Sequence, residues 1–304
     1  MGNLVDRVMS ELPLTLKRSL NSQGKIESYL ELPDEGRWRM VAKVVPLGDD
    51  RAEITVRKAN LQRVIDSAQM VRPRGRRLER LERDPEDIAR AAKRAQKSVR
   101  HLCQLHKVDR MLTFGTRATI ELSVLLTRYQ RFARAYERRA GRGKFNYVAV
   151  PEPHADGVHW HLHVAIAGWF ELQVALSIWH ALCAGDDEDH LVNGSINVKT
   201  FRVRNATEDI VSIIAGYIAK YVGKSLEAAF NKKSYWATRV ERDETQFHIL
   251  DSDTPEAALQ EVCVKWGVDV RSIVMTHEGC FFPLFDLNGF WIKLTPEMHR
   301  TNPF

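Results

Sequence analysis

A stretch of alternating residues at 144–170 constrains the fold of this chain more than any other. Its sequence is KFNYVAVPEPHADGVHWHLHVAIAGWF. An apolar run around Val148, a turn with Pro153 and Asp156-Gly157, and a returning apolar run predict a β-hairpin. On the returning strand Trp160, Leu162, Val164 and Ile166 share one face, and His159, His161 and His163 share the other. We therefore expect one face in the core and a row of imidazoles on the other.

The spacing of these histidines indicates a metal site. Imidazoles two residues apart on a strand point the same way, at about twice the 3.3 Å rise, so they can converge on one divalent ion. A carboxylate from the neighbouring strand would favour Mg²⁺ or Mn²⁺. Glu152 is the nearest one, although Pro151 interrupts its strand and leaves the face of Glu152 open; His154 is a further possible ligand. A lone surface histidine is usually just solvated, but three in phase opposite an apolar face are unusual.

Length and composition bound the class of protein. The 304 residues suffice for one large domain or two modest ones. Since no apolar run approaches the length of a membrane span and the N-terminus lacks the pattern of a signal peptide, we expect a cytoplasmic protein without a membrane partner. The four cysteines are scattered without a CxxC pair, which predicts buried thiols and neither a disulfide framework nor a zinc ribbon.

Positive charge is concentrated in one segment. Residues 71–110 hold thirteen Lys or Arg against six Asp or Glu, a net of +7, whereas the whole chain carries +6. Such a concentration favours a phosphate backbone as partner. An exposed helix with i,i+4 ion pairs would give the same composition, so both interpretations stand for this segment.

Periodicity predicts the order of elements along the chain. We expect a helix near 4–20, two strands around the turn at 48–50, a helix at 85–105, a strand at 109–116 and a helix from Leu122 that ends at Gly141. After the hairpin follow a helix around 171–184, an acidic loop, a strand at 195–203, a helix from Asn205 or Thr207 to about Phe230, a helix within 253–267 and strands near 272–279 and 289–294. Internal repeats are absent.

The helix that ends near Phe230 carries a second constellation, within EDIVSIIAGYIAKYVGKSLEAAF. Its core stripe is Ile210, Val211, Ile214, Ile218 and Val222, with Ser212, Gly216, Ala219 and Gly223 as a smooth opposite ridge. Tyr217 and Tyr221 lie at the edge, about 5 to 6 Å apart at i,i+4 spacing, with Lys220 and Lys224 just outside. Tyrosines at a core margin are common, but a phenol is also a competent nucleophile when a cation favours its phenolate.

The order of LTFGT, EPHADGVHWHLH and YIAKYVGK resembles the HUH endonucleases, and specifically the two-tyrosine rolling-circle replication initiators of the phage replication gene A protein type. The likeness covers about residues 108–235. It implies that two histidines bracketing an apolar residue hold the metal, either His159 and His161 or His161 and His163. It also implies that Tyr217 and Tyr221 are the nucleophiles, and that Lys220 and Lys224 stand where that family has basic residues.

This resemblance implies an α+β fold, a central antiparallel sheet flanked by helices in a ferredoxin-like palm, with extra N- and C-terminal segments. We accordingly expect a DNA-binding N-terminal region at 1–105, a nicking domain at 106–235, and an accessory segment at 236–304 that packs on it. Tyr217 would cut single-stranded origin DNA, keep the 5′-phosphate and leave a free 3′-OH. Tyr221 would serve the later cleavage that rejoins the strands.

The implied partners are single-stranded DNA, an origin hairpin, and a helicase and polymerase supplied by a bacterial host. Six residues separate Gly216 from the Gly-Lys-Ser at 223–225 where a phosphate-binding loop needs four, so no ATPase is predicted. Two alternatives remain: an HUH transposase or relaxase, or a catalytically silent basic DNA-binding module with a structural metal.

Overall fold

The computed structural model describes residues 4–20, 26–34, 37–48, 51–69, 85–117, 119–141, 145–154, 156, 159–184, 194–202, 209–228, 234–268 and 289–294. The chain forms two compact units. The first joins both ends of the sequence, Met1–Leu78 and Arg242–Phe304, and the second is Glu79–Glu241.

The second unit is built on a five-stranded antiparallel sheet. Its helices are α3 (Pro85–Leu105), α4 (Leu122–Ala140), α5 (Leu172–Cys183) and α6 (Ile210–Ala228). Its strands are β5 (Arg110–Thr116), β6 (Tyr147–Pro153), β7 (Trp160–Ile166), β8 (Gly194–Lys199) and β9 (Trp236–Ala237), in the order β8-β5-β7-β6-β9. The predicted hairpin is confirmed, because β6 and β7 pair antiparallel with Glu152 opposite His161.

Each face of this sheet has its own hydrophobic core. On one face Leu112, Phe114 and Leu162 pack against α4 and α5 in a cluster rich in aromatic rings. On the other face Val148, Val150 and Ala165 pack against α3 and α6. The alternation of β7 is as predicted, since Leu162, Val164 and Ile166 are fully buried in the first core. The imidazoles therefore share their face with the tyrosine helix.

The helices follow their apolar periodicity. α4 ends at Gly141, whose φ of 62° suits a left-handed cap. The start of α6 lies at Ile210, where the Asp209 carboxylate accepts from the Val211 amide and the Ser212 hydroxyl; Asn205 and Thr207 lie outside the described residues. Ala219, in the predicted ridge of small residues, is 1 % exposed and lies in the core that α6 shares with α3.

The first unit holds a four-stranded antiparallel sheet and a separate hairpin. The hairpin pairs β1 (Thr15–Leu20) with β2 (Ile26–Glu31), and the sheet has the order β10-β3-β4-β11. Its elements are α1 (Leu4–Glu11), β3 (Trp38–Pro46), β4 (Ala52–Asn60), α2 (Leu61–Gln69), β10 (Gln246–Ile249), α7 (Pro255–Trp266) and β11 (Gly289–Leu294). α7 covers one face of the sheet, and the buried residues Val8 of α1 and Ile65 of α2 pack on the other face. The C-terminal strands are thus hydrogen-bonded to strands near the N-terminus.

One predicted element in this unit is wrong. The helix expected over 4–20 ends at Glu11, and the following residues form β1. Pro13 lies between the two and cannot continue the hydrogen-bond ladder of a helix. The strand predicted at 272–279, the acidic loop at 185–190 and the basic residues at 71–84 lie outside the described residues.

The fold class agrees with the prediction: the chain is a mixed α+β protein with antiparallel sheets, and the described residues contain seven helices. Cys103, Cys183 and Cys263 are buried thiols, as expected, while Cys280 is outside the described part. In the described part of the chain, each helix is too short or too polar to cross a bilayer. The division into three functional segments stays a prediction.

Candidate active site

The β-sheet of the second unit gathers polar side chains on its α6 face. Cross-strand neighbours share a face, and Thr113 lies opposite both His163 and Asn197. One row therefore runs Asn197, Thr113, His163. The next row begins with Ser195 and Gly115 on β8 and β5 and continues with His161 and Glu152 on β7 and β6.

His163 is held on three sides. It is 6 % exposed, its Nε2 lies 2.7 Å from Glu152 Oε2, and its Nδ1 lies 3.1 Å from Thr113 Oγ1. The Tyr221 ring stacks on the imidazole, with centroids 3.9 Å apart. Glu152 therefore occupies the imidazole face, a point that the sequence left open because of Pro151.

His161 lies beside Gly115. A Cβ built on that glycine would be in ordinary contact with His161 Cδ2, at 3.6 Å, and would lie tightly against Ser195 Oγ, at 3.0 Å. Burial, followed by the neighbouring His154, lowers the pKa of His161. The ring is thus kept neutral at physiological pH, the state in which imidazole binds a metal.

His159 belongs to a different set of contacts. It precedes β7 at the tip of the hairpin, with Nδ1 2.5 Å from Asp156 Oδ2 and Nε2 2.8 Å from Thr119 Oγ1. The ring of His154 lies 6.4 Å from that of His159 and 5.1 Å from that of His161, centroid to centroid. Both ring nitrogens of His159 thus have polar partners other than Glu152.

The two tyrosines of α6 form a hydrogen-bonded pair. The Tyr221 hydroxyl donates to the Tyr217 oxygen at 2.7 Å. The Lys199 ammonium, and after it this hydrogen bond, lowers the pKa of Tyr217. Burial, followed by its hydrogen bond to Tyr217, raises the pKa of Tyr221. Tyr217 is therefore the more readily ionised phenol of the pair.

Sequence reasoning missed Lys199 and Phe201. The Lys199 ammonium lies 3.9 Å from the centroid of the Tyr217 ring, and the Phe201 ring meets that of Tyr217 edge to face at 5.3 Å. The available signal was the alternation Ser195, Asn197, Lys199 on a predicted strand, which places three polar side chains on one face. Of the two predicted basic residues of α6, Lys220 is exposed. The side chain of Lys224 lies outside the described residues.

Whether these residues suit Mg²⁺ or Mn²⁺ can be judged from the Glu152–His163 contact. Carboxylate oxygen and imidazole nitrogen are ligands that Mn²⁺ accepts, and here they face each other at 2.7 Å. Adjacent ligands at octahedral bond lengths of about 2.1 Å lie roughly 3 Å apart. A cation could replace the proton between them, and that proton could move to Nδ1, where the Thr113 hydroxyl can accept it.

As they stand, these side chains are not yet a metal site. Across the described residues, no three His, Cys, Asp or Glu side chains are arranged to hold a metal ion. The donor chemistry thus fits, and the Glu152–His163 hydrogen bond must open before the ligands can surround a cation.

Comparison with known proteins finds one family model that is similar to part of the chain. Residues 109–226 match the model of the family described as Replication-associated protein ORF2/G2P, which is of the phage replication initiator type. The matched segment runs from the residue before β5 into α6 and so contains Glu152, the histidines and both tyrosines. No curated protein and no solved structure matches the chain significantly.

Proposed function

We propose that this protein initiates rolling-circle replication by nicking single-stranded origin DNA and later rejoining the strands. One observation carries the proposal: the Tyr221 ring is stacked at 3.9 Å on His163, in a row of imidazole and carboxylate groups, and the Tyr221 hydroxyl is hydrogen-bonded to the Tyr217 phenol. A nucleophile, anion-stabilising groups and potential metal ligands thus meet on one face of one sheet. The match of residues 109–226 to a replication-associated family supports the same function.

Tyr217 is the nucleophile of the first cleavage in this proposal. Its pKa is lowered, whereas that of Tyr221 is raised, so a phenolate forms more readily on Tyr217. Its oxygen attacks the phosphorus, the bond from phosphorus to the 3′-oxygen breaks, and the leaving oxygen takes a proton. The products are a 5′-phosphotyrosine and a free 3′-OH.

The proposed metal is Mg²⁺ or Mn²⁺, held by His161, His163 and Glu152. When bound, such an ion would polarise a non-bridging oxygen of the scissile phosphate. The placement of His161 and His163 on one strand, on either side of the buried Leu162, supports this pair. The sequence also allows the pair His159 and His161. To bind a metal there, a ring nitrogen of His159 would have to give up its contact with Asp156 or Thr119.

The proposed DNA contacts extend to the basic helix α3 of the same unit. Its exposed cationic side chains are Arg90, Lys93, Arg94, Lys97 and Arg100. A row of this kind suits a phosphate backbone, and we assign it to the origin hairpin. Lys220 is proposed to act beside the tyrosines. A helicase and a polymerase of a bacterial host would act with the protein in the cytoplasm.

The decisive experiment is covalent capture. Wild-type protein mixed with single-stranded origin oligonucleotides and Mn²⁺ should give an adduct that survives SDS and migrates more slowly in a gel. Tyr217→Phe should abolish the adduct, and mass spectrometry of the linked tryptic peptide should identify Tyr217. Cleavage of element ends or of conjugative origin DNA instead would indicate a transposase or a relaxase.

A silent DNA-binding module is the second candidate. The observation that favours it is that no three potential ligands in the described part of the chain are arranged around a cation. DNA binding that is unchanged by EDTA, together with no adduct on any origin oligonucleotide, would support this function and overturn the first.

A further inference from the structure

Lys199 lies beside Tyr217, the proposed nucleophile. It is the last residue of β8, which is an edge strand of its sheet, and its side chain is exposed. Its ammonium lies 3.9 Å from the centroid of the Tyr217 ring and 5.4 Å from that of Phe201. The register places Lys199 opposite Met111, on the face of the sheet that also carries Thr113 and His163.

The groups around the Tyr217 phenol come from three elements. Lys199 faces it from β8, Tyr221 from its own helix, and Glu152 acts on it from β6. The carboxylate opposes ionisation of the phenol, while the ammonium and the Tyr221 hydroxyl favour it. Lys199 thus supplies the positive charge that offsets Glu152 at this position.

We propose that Lys199 is a catalytic residue of the cleavage, which binds the phosphate under attack and stabilises the Tyr217 phenolate. This inference rests on the proposed nicking function and places a cation of the site on β8, a strand that carries neither the tyrosines nor the histidines. Because the ammonium is exposed, an incoming phosphate can reach it without displacing core residues. Phe201 keeps the phenol next to the ammonium by packing against the edge of its ring.

The cleavage exchanges one ester bond of the phosphate for another. The Tyr217 hydroxyl gives its proton to water, and its oxygen forms the bond to phosphorus. The bond from phosphorus to the 3′-oxygen breaks, and that oxygen keeps the electron pair and takes a proton from water. Lys199 stays protonated throughout and stabilises first the phenolate and then the charge on the phosphoryl oxygens.

The test compares single-turnover cleavage by Lys199→Met, Lys199→Gln, Lys199→Arg and the wild type. Loss of the ammonium should slow cleavage about 100-fold, as for other groups that stabilise a transition-state charge, while Lys199→Arg should keep most of the rate. The rising limb of the pH–rate profile should move to higher pH in the Met and Gln variants, which a structural role for Lys199 would not cause. Arg131→Met, at an exposed position of α4 on the opposite face of the sheet, is the matched control and should cleave like the wild type.

The outcomes separate the two proposals. If the wild type forms no adduct, both the nicking function and the role of Lys199 are overturned. If the wild type cleaves and a folded Met or Gln variant cleaves at the same rate with the same pH profile, the role of Lys199 alone is overturned. Since Lys199 is exposed, circular dichroism should find all three variants folded.

Discussion

The Tyr221 ring lies flat on the His163 imidazole, with centroids 3.9 Å apart and planes 15° from parallel. This contact joins the tyrosine helix to the strand of histidines, while the Tyr221 hydroxyl reaches Tyr217. Tyr221 therefore has two separable roles: its ring covers a potential metal ligand, and its hydroxyl supports the neighbouring phenol.

Tyr221→Phe should separate these roles, because phenylalanine keeps the stacked ring and removes the hydroxyl. Without its donor, Tyr217 should ionise at a higher pH, and the first cleavage should slow roughly tenfold. That figure takes the lower end of about 1.5–3 kcal/mol for a hydrogen bond to a charged group, since solvent screens Tyr217. Carbon-13 NMR of the tyrosine Cζ atoms would follow the pKa of Tyr217. Tyr29→Phe, in β2 of the first unit, is the control. An unchanged titration of Tyr217 in Tyr221→Phe would refute this role for the hydroxyl.

Two threonines can decide which histidines bind the metal. Thr113 Oγ1 contacts His163, and Thr119 Oγ1 contacts His159. Removing a hydroxyl that orients a ligating imidazole typically costs 10–100-fold in metal affinity. If His161 and His163 form the pair, Thr113→Val should weaken Mn²⁺ binding by about that factor, and Thr119→Val should leave it unchanged. Calorimetric titration with Mn²⁺ measures both variants, and an affinity that changes with Thr119→Val but not with Thr113→Val would assign the metal to His159 and His161.

How far the sequence could predict this site depends on the range of the interactions involved. The hairpin, the alternation of β7 and the stripe of α4 depend on local periodicity, which a sequence displays directly. The face of Glu152 and the contact of Lys199 with Tyr217 depend on the pairing of β6 with β7 and on the position of α6 over the sheet. Residues 246–249 likewise carry no local sign that they pair with β3.

His163 and His159 should differ in their effect on stability. His163 is buried between Thr113, Glu152 and Tyr221, so His163→Ala leaves a cavity and removes the partner of the Glu152 carboxylate. We expect a loss of about 2–4 kcal/mol in the free energy of unfolding. His159→Ala, whose side chain is 38 % exposed, should cost less than about 1 kcal/mol.

Scanning calorimetry would compare the melting temperatures of these two variants with that of the wild type. Equal shifts would mean that the buried contacts of His163 add nothing to stability.

The stability of the wild type should also depend on pH through His161. Because the folded-state pKa of His161 is lowered, protonation favours the unfolded chain, and its contribution to stability falls as the pH drops below about 6.5 in the same calorimetric experiment.

Two glycines give the last and opposite predictions. A Cβ on Gly216, inside α6, would meet no described atom within 4 Å, whereas one on Gly194 would lie 2.6 Å from atoms of the buried Trp179 ring. Gly216→Ala should therefore raise the free energy of unfolding by about 0.5–1 kcal/mol through helix propensity. Gly194→Ala should lower it by about 1–3 kcal/mol, because Trp179 donates to the Gly115 carbonyl and must shift.

If DNA approaches the open side of α6, the stabilised Gly216→Ala variant should also bind single-stranded oligonucleotides more weakly, as fluorescence anisotropy would detect. Unchanged DNA affinity would place the strand elsewhere on this unit.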